Sequence, residues 1–594
     1  MNSVYPRLSS LRSVMNDRGY DALIVPRADE YLGEYIPADK ERLRWVSGFS
    51  GSAGAAVVAL QCAAIFTDGR YTVQVRREVD AELFSFHSLL EEPLSAWLKE
   101  HLSRGSRVSC DPRLLTLARY NELAGALASS GIELVADADN LVDQCWHDRP
   151  AAQVRPAVLL DESFSGESSY SKRQRMGKEI AALGADAALV FAPDSVSWLL
   201  NIRGRDIPKL PVVQAHALLR ANGHISLLID AQRVPEQLDQ HAGGSIAVLP
   251  DADVATWAAA SNGLRIVSDP DGANAWLQQM LVAAGATLVP AQDPIQLAKA
   301  CKNAVELDGS RRAHIRDAVA VVRFLRWLDE SVENGDLHDE AVLADELLRL
   351  RAQGEYFQEC SFDTISAAGA NAAMCHYNHL NGQAAPLEMN SVYLVDSGGQ
   401  YTDGTTDITR TVAIGDPGAQ VRRLFTLVLK GHIALDTARF PPGTCGTQLD
   451  ALARQYLWQH GLDYDHGTGH GVGVYLSVHE GPQRIAKQGG SVALAPGMIV
   501  SNEPGYYRDG EFGMRCENLV FVRESGATGE RPMLSFEALT LVPFDRRLID
   551  VSLLRDDERD WIDRYHARVA ETLAPLLGDA DLRWLHAATQ ALQD

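Results

Sequence analysis

The sequence predicts a multidomain protein of the α/β and α+β classes, with two related α/β domains followed by a larger α+β domain. Three observations predict this architecture. The chain has 594 residues, far more than a single domain with one hydrophobic core usually contains. One pattern of helix, glycine and buried strand occurs twice in its first half. Seven of its 17 histidines fall between residues 376 and 479, so chemistry is expected in the third domain.

The repeated pattern opens both α/β domains. In RLSSLRSVMNDRGYDALIVPRADEYL, and again in KRQRMGKEIAALGADAALVFAPDSVSWLL, a segment with helical periodicity ends at Gly19 or Gly184. Glycine is the common residue just beyond a helix. An apolar run follows, Leu23–Val25 or Leu189–Phe191, and then a proline. A helix, a glycine turn and a buried strand form a β/α unit, so the two segments predict two related domains.

The rest of the chain divides by its periodicity. KNAVELDGSRRAHIRDAVAVVRFLRWLDESV reads as one long amphipathic helix, and short strands with glycine turns follow it. The tail reads as two amphipathic helices separated by Gly578. These patterns predict four segments: α/β domain I over 1–152, α/β domain II over 153–300, a third domain over 301–545 and its C-terminal helical extension over 546–594.

The composition narrows the class of protein. A net charge of −23 argues against a nucleic-acid partner, because phosphate binding needs a basic surface. No apolar run approaches the roughly 20 residues of a membrane span, and the first residues contain no hydrophobic leader segment. The eight cysteines form no CxxC pair, which favours a reduced, cytoplasmic protein, and Cys375 and Cys516 are read as packing residues.

The third domain contains the stretch DSGGQYTDGTTDITRT, with three aspartates in twelve residues. Asp403 precedes a glycine, and Asp-Gly is a common hairpin turn, so we expect a solvated turn residue there. Asp396 and Asp407 instead lie where a strand-like run meets the turn region. Side chains at such junctions can point into a cleft.

Further metal-binding side chains follow in short glycine-rich or proline-containing motifs. They are His466 and His470 in DHGTGHGVG, His479 in VHEGP, Glu503 in SNEPGYY and Glu517 in MRCENLV. Taken alone, each of these residues is most simply explained as a cap, a turn residue or a residue that forms hydrogen bonds within a loop. Carboxylates and imidazole suit hard divalent ions such as Mn²⁺, and carboxylates can bridge two of them. Four carboxylates and one imidazole neutralise most of the charge of two such ions, and a water acidified between the ions is a nucleophile at neutral pH.

In their order and spacing these motifs resemble the pita-bread metallopeptidases, a family that includes methionine aminopeptidase, prolidase, aminopeptidase P and the metal-free creatinase. WVSGFSGSAG, FTDGRYTVQ, NLVDQCWHDRP and RRAHIRDAVA are similar to segments of the three-domain, cytosolic Xaa-Pro aminopeptidases. The resemblance covers nearly the whole chain. It implies two creatinase N-terminal-like domains, a pita-bread catalytic domain and a homodimer.

The resemblance also implies the reaction. The expected activity is a metal-dependent aminopeptidase that removes the N-terminal residue from peptides with proline at the second position. A hydroxide bridging two metal ions would attack the scissile carbonyl. The expected cofactors are two divalent ions, Mn²⁺ first, with Co²⁺ or Zn²⁺ accepted by the same ligands. The expected partners are proline-containing peptides, with no nucleic acid and no membrane.

Residue by residue, the resemblance implies a ligand set. Asp396 binds one metal, His470 and Glu503 bind the other, and Asp407 and Glu517 bridge the two.

Other roles follow from the same resemblance. His376 contacts the scissile carbonyl and its developing charge, and His479 holds the peptide just beyond that bond. His466 lines the pocket for the proline ring, with the pair Tyr506–Tyr507 as candidate walls. Glu503 is also a candidate to carry a proton to the leaving nitrogen.

Two arginines complete the expected set. Arg515, two residues before Glu517, is the expected partner of a metal-binding carboxylate. Arg70, in TDGRY of the first domain, is expected to bind substrate through its guanidinium.

Two alternatives stay open at this point. A prolidase-type Xaa-Pro dipeptidase shares the catalytic domain and the metals, although such chains are usually shorter. A non-catalytic pita-bread protein that binds peptides shares only the fold, and such proteins tend to lose the ligands that this sequence keeps.

Overall fold

The structure is a computed structural model that describes residues 4–526 and 529–593. It contains two compact units. The first unit extends to Glu162 and continues over Glu167–Gln296, and the second comprises Ser163–Gly166 and the chain from Leu297 onward. Among the described residues, no helix is both long enough and apolar enough to cross a membrane.

The strands of the first unit form two six-stranded sheets and one short pair. They are β1 (Ala22–Pro26), β2 (Ala55–Ala59), β3 (Ala63–Thr67), β4 (Ser85–Ser88), β5 (Arg107–Cys110), β6 (Glu133–Ala136), β7 (Val158–Leu159), β8 (Ala187–Val190), β9 (Ile202–Arg203), β10 (Ala215–Arg220), β11 (Ile225–Ile229), β12 (Ile246–Leu249), β13 (Arg265–Ser268) and β14 (Thr287–Pro290).

The two large sheets have the same topology. Their strand orders are β4-β3-β2-β1-β5-β6 and β12-β11-β10-β8-β13-β14. In both sheets the central strand, β1 or β8, is antiparallel to one neighbour and parallel to the other. The outer pairs β3–β4, β5–β6, β11–β12 and β13–β14 are all parallel. The internal repeat predicted from the sequence is therefore confirmed.

The helices are, in chain order, α1 (Val4–Asp17), α2 (Arg42–Ser47), α3 (Gln74–Glu78), α4 (Leu94–His101), α5 (Leu117–Ala128), α6 (Leu141–Cys145), α7 (Glu162–Ser165), α8 (Ser169–Ala182), α9 (Pro193–Leu200), α10 (Leu238–His241), α11 (Val254–Ala259), α12 (Ala275–Ala283), α13 (Pro294–Ala300), α14 (Ala304–Glu333), α15 (Glu340–Arg351), α16 (Ala419–Asp436), α17 (Gly446–Trp458), α18 (Asp556–Leu573) and α19 (Asp579–Ala588). Gly19 and Gly184 follow α1 and α8 with φ of 69° and 70°, the left-handed conformation that glycine adopts without steric cost.

The second unit combines helices with several antiparallel sheets. Its strands are β15 (Phe357–Cys360), β16 (Ile365–Ala368), β17 (Ser391–Ser397), β18 (Gly399–Tyr401), β19 (Gly404–Thr405), β20 (Ile408–Ile414), β21 (Arg439–Phe440), β22 (Gly469–Gly471), β23 (Glu480–Ile485), β24 (Ile499–Asn502), β25 (Gly505–Arg508), β26 (Phe512–Arg515), β27 (Asn518–Glu524) and β28 (Leu534–Ala538).

Two of these sheets carry the predicted metal ligands. One has the order β16-β17-β20 and the other the order β21-β28-β27-β24-β22-β23. The predicted long helix is α14, which Asn303 begins with a capping box. One apolar core contains residues of α14, α16, α18 and the paired strands β17 and β20, so the helices support the sheet that bears the first two aspartates. The predicted tail helices are α18 and α19.

Candidate active site

The predicted metal ligands lie in or next to strands of the two sheets of the second unit. Asp396 lies within β17, Asp407 immediately precedes β20, His470 is the middle residue of β22, Glu503 directly follows β24, and Glu517 lies between β26 and β27. In the antiparallel pair β17–β20, Asp396 is opposite Thr409. This register brings Asp407, two residues before Thr409, to the same end of the sheet as Asp396.

An imidazole and two carboxylates meet at short distances. His470 Nε2 lies 3.4 Å from Asp407 Oδ2 and 3.7 Å from Glu503 Oε1. One ligand atom each from Asp407, His470 and Glu517 all lie within 4.8 Å of one another, and the three side chains are buried or half-buried. His470 Nδ1 lies 2.9 Å from the Gly471 carbonyl oxygen, to which only a protonated nitrogen can donate. The Nε2 atom therefore faces the carboxylates.

Arg515 and Thr409 connect the remaining carboxylates. The Arg515 guanidinium forms an ion pair with Asp396 and donates from Nε to Thr409 Oγ1 at 3.0 Å. Thr409 Oγ1 in turn donates to Glu517 Oε2 at 2.7 Å. No motif in the sequence marks Thr409 as a site residue, although it is two residues from Asp407 and side chains two apart on a strand point to the same face. Ser501, two residues before Glu503, was missed in the same way and accepts from the His470 backbone N–H at 2.9 Å.

Burial perturbs the titration of this cluster. It raises the pKa of Asp396 to about 7, against the opposing effect of Arg515. Burial also raises the pKa of Glu517 well above its ordinary value, and the repulsion of Asp407 adds to it. The pKa of Glu503 is raised by burial as well. For His470 burial lowers the pKa, but Asp407 and Glu503 outweigh it and raise the value to about 9.

The cluster fits divalent cations. Asp396 Oδ1 and Asp407 Oδ1 are buried and have no hydrogen-bond partner among the described residues. Buried carboxylate oxygens without partners are costly unless a cation or a proton neutralises them. The donor set of carboxylate oxygens and one imidazole nitrogen is the set that Mn²⁺, Co²⁺ and Zn²⁺ accept.

A second hydrogen-bonded chain runs from Arg515 to His466 through Tyr507. Arg515 Nη1 donates to the Tyr507 hydroxyl oxygen at 2.6 Å, and that hydroxyl lies 2.8 Å from His466 Nε2. His466 Nδ1 donates to the Gly467 carbonyl oxygen at 2.7 Å, so Nε2 is the acceptor of the tyrosine proton. Burial raises the pKa of Tyr507 well above its ordinary value, which keeps the hydroxyl a donor.

The other two predicted histidines lie beside this cluster. The His479 ring packs on the His470 ring with centroids 4.3 Å apart. His376 lies in the turn after Ala373, and its neighbour Cys375 accepts a hydrogen bond from Arg515 Nη1 at 3.4 Å through its carbonyl oxygen.

Arg70 belongs to the first unit, in a short 3₁₀ turn over Gly69–Tyr71. Its guanidinium donates from Nη2 to Asp68 Oδ2 at 2.8 Å and lies 3.5 Å from Glu34 Oε1. These contacts raise its pKa, although burial opposes them. The arginine is held by its own domain, and its role in binding substrate stays a prediction.

For Asp403 the predicted turn is confirmed, and the predicted exposure to solvent is wrong. It is a turn residue, but it is 1 % exposed and forms an ion pair with Arg316 of α14. The reason is the close approach of that helix, because a Cβ atom on Gly309 of α14 would lie 2.4 Å from the Asp403 carbonyl oxygen. A turn covered by a helix excludes water, so its carboxylate needs a charged partner.

Family profiles cover most of the chain. Two profiles described as the creatinase/prolidase N-terminal domain match residues 7–145 and 148–306. The profile of metallopeptidase family M24 matches residues 308–524, and that of the C-terminal region of peptidase M24 matches residues 532–592.

Known proteins match along the full length. A probable Xaa-Pro aminopeptidase P of Talaromyces marneffei is 39% identical over 606 residues, which cover 99% of this chain and 92% of the relative. The crystal structure of X-prolyl aminopeptidase from Caenorhabditis elegans, described as a cytosolic enzyme with a di-nuclear active site, covers 100% of both chains with a TM-score of 0.95 and 33% identity. An Xaa-Pro dipeptidase from Bacillus anthracis shares the fold, with a TM-score of 0.50 and 23% identity, but matches only 64% of this chain.

Proposed function

This chain belongs to the Xaa-Pro aminopeptidase P family of the M24 metallopeptidases, and from that premise we propose which residues perform its reaction. It is a metal-dependent aminopeptidase, a hydrolase of the pita-bread fold with a dinuclear metal site. The proposal concerns the ligands of the metals, the groups that hold the peptide, and the identity of the ions.

We propose that Asp407 and Glu517 bridge two divalent cations. The observation that carries this assignment is the Asp407 carboxylate: one of its oxygens is buried with no hydrogen-bond partner in the part of the chain that the structure describes, and the other lies 3.4 Å from His470 Nε2. Asp396, which keeps one unpartnered oxygen while Arg515 holds the other, is the proposed further ligand of one ion. His470 and Glu503, 3.7 Å apart, are the proposed further ligands of the other.

Two cations held there supply Lewis acidity and a water that deprotonates near neutral pH. The chain's own residues then bind and orient the peptide. In this proposal His376 donates a hydrogen bond to the scissile carbonyl oxygen as negative charge develops on it. Glu503 carries the proton from the attacking water to the leaving nitrogen, and Arg515 keeps Asp396 ionised and oriented.

The proposed proline pocket is lined by His466 and Tyr507, which are hydrogen-bonded to each other. An Xaa-Pro bond has no N–H, and the ring fixes the shape of the residue after the bond. Tyr507 is held from one side by Arg515 and from the other by His466, so its ring is a rigid wall. A rigid wall suits a rigid ring, because neither partner loses conformational entropy on binding.

The test compares two substrates on one preparation. Hydrolysis of Arg-Pro-Pro and of Arg-Pro is measured together with the metal content of the same protein. We expect cleavage of the tripeptide after arginine, with about two divalent ions per chain. Cleavage restricted to the dipeptide would make the chain a prolidase-type enzyme, and metal binding without cleavage of either would make it a peptide-binding protein.

Three further properties belong to this proposal. We propose Mn²⁺ as the ion in the cell, a homodimer as the assembly, and the cytoplasm as the location. The location is supported by the description of the Caenorhabditis elegans enzyme as cytosolic. Metal analysis of protein purified without added metal, light scattering and cell fractionation test the three in turn.

A further inference from the structure

A second cluster of buried charges lies in the catalytic unit. The Glu480 side chain is fully buried, and the ammonium groups of Lys299 and Lys302 both pair with it. Lys299 Nζ lies 2.8 Å from Glu480 Oε2, Lys302 pairs with Oε1, and both lysine side chains are 1% exposed. Lysine and glutamate are almost never fully buried unless paired. We call these three residues the Glu480 clasp.

The two lysines belong to a segment that is itself fixed to the catalytic sheet. Lys299 lies in α13, and Lys302 follows two residues before α14. The Lys302 backbone N–H donates to the Gly497 carbonyl oxygen at 3.1 Å, and Cys301 forms a β-bridge with Met498 just before β24. The ammonium groups therefore stand on a rigid support beside the strand that leads to Glu503.

Glu480 lies where the strand pairing is irregular. In the pair β22–β23, His470 is opposite Arg484, yet the next residue, Gly471, is opposite Glu480. Such a shift in register disrupts the hydrogen-bond ladder and re-aims nearby side chains. A Cβ atom on Gly473 would lie 2.9 Å from Glu480 Oε2, so the carboxylate packs against the loop that joins the two strands. The clasp supplies the fixed contacts that the irregular ladder lacks.

His479 is the residue next to Glu480, and its ring packs 4.3 Å from that of His470. We propose that Glu480, held by Lys299 and Lys302, is a positioning residue that sets where the His479 imidazole lies in the active site. The effect on catalysis rests on the role proposed above for His479, which is to hold the peptide beyond the scissile bond. None of the three clasp residues is among the proposed metal ligands or the groups proposed to hold the peptide.

The Glu480→Gln variant tests the clasp, because it keeps the shape of the Glu480 side chain and removes its negative charge. Displacing a positioning group by about 1 Å can cost up to about 100-fold in rate. We expect kcat/KM on Arg-Pro-Pro to fall by about 10- to 100-fold, mainly through KM, with metal content unchanged. A variant with wild-type kinetics, while His479→Ala is impaired, would overturn the inference and leave the role of His479 intact.

A double-mutant cycle decides whether the clasp acts through His479. In the His479→Ala background, Glu480→Gln is expected to have little further effect on KM, because the group that it positions is gone. Equal losses in both backgrounds would show that Glu480 acts by another route and would overturn the inference.

A crystal structure of Glu480→Gln gives a readout that does not depend on activity. The His479 ring is expected to leave its place against His470, whereas an undisplaced ring would overturn the inference. If His479→Ala has wild-type kinetics, the proposed role of His479 in the reaction fails, and this structure still decides what the clasp does. Should Glu480→Gln not fold, Lys302→Met replaces it in every measurement, since it removes one of the two ammonium groups that hold Glu480 and leaves the neutral pair of Lys299 and Glu480.

Discussion

The acidic cluster and the Glu480 clasp are both groups of buried charges in the catalytic unit, and they differ in how the charges are matched. In the clasp one carboxylate meets two ammonium groups at ion-pair distance. The acidic cluster comprises the four carboxylates Asp396, Asp407, Glu503 and Glu517, and the basic side chains near them include Arg515, His466, His470 and His479.

This difference has a measurable consequence. Burial raises the pKa of Asp396 to about 7 and raises that of Glu517 well above its ordinary value. Two carboxylate oxygens of the cluster, Asp396 Oδ1 and Asp407 Oδ1, have no hydrogen-bond partner among the described residues. In the clasp every carboxylate oxygen faces an ammonium group, and the ion pairs connect separate backbone segments. A cluster with excess carboxylates is instead destabilising until cations bind to it.

The largest effect is expected from replacing Asp407. Asp407→Ala should abolish hydrolysis of Arg-Pro-Pro and the binding of both ions, because one bridging carboxylate serves both. In the metal-free protein the variant loses both a negative charge of the acidic cluster and the pairing of Asp407 with His470, so its unfolding temperature should stay within about 2–4 °C of that of metal-free wild type. Activity, metal content and thermal unfolding check the three outcomes.

The matched control is Asp403→Asn in the same hairpin. That carboxylate is paired with Arg316, so its loss should cost about 3 kcal/mol of unfolding free energy and leave metal binding in place. If Asp407→Ala keeps its metals, or if Asp403→Asn loses them, the assignment of the ligands is wrong.

A second prediction concerns pH. The pKa of Asp396 is about 7 in the folded metal-free protein, against an ordinary value of 3.8. Between about pH 4 and pH 7 the folded state therefore binds more protons than the unfolded state, and the free energy of unfolding falls as pH rises. The folded pKa of His470 is about 9 against 6.5, and its stabilisation is complete below 6.5 and lost as pH rises through 9. Both contributions have the same sign.

Metal-free protein is therefore expected to be more stable near about pH 5 than near about pH 8. Metal-loaded protein should show the opposite trend, because the ligands bind metal in their deprotonated forms. Thermal unfolding across this range, with and without a chelator, measures the difference, and parallel curves would contradict it.

The third prediction concerns a histidine outside the metal set. His376→Ala is expected to lower kcat by about 10²- to 10³-fold with unchanged metal content, because its proposed partner is charge that develops only in the transition state. The control is His460→Ala, at a ring that contacts the exposed Arg423. It should leave both kcat and metal content unchanged. Parallel loss of metal and activity would make His376 a ligand instead.

The smallest effect is expected in the first unit. Arg70→Ala should raise KM for tripeptides about tenfold, because one charge-assisted hydrogen bond to the substrate would be lost. The metal content should be unchanged. Arg113 is a matched control, because its guanidinium is held by Asp111 two residues earlier, as Arg70 is held by Asp68. Equal, small changes in both variants would leave Arg70 a structural residue.

The sequence by itself determined the elements and the chemistry of the side chains. Gly19 and Gly184 marked the ends of two equivalent helices, and the apolar period marked α14, because helix ends and amphipathic faces depend on residues a few positions apart. The crowding of carboxylates and histidines between Asp396 and Glu517 indicated a metal site, because ligand preference is a property of the side chain itself.

Which buried charges have a partner of opposite charge depends on the tertiary structure. Arg515 meets Asp396 119 positions earlier, and Lys302 meets Glu480 178 positions later. Asp403 reads as a solvated turn residue until α14 covers it at Gly309. Local sequence patterns do not specify such partners, because the distance between two charges and the water around them are set when sheets and helices pack. Those two quantities decide whether a buried carboxylate stabilises the fold through an ion pair or needs a bound cation.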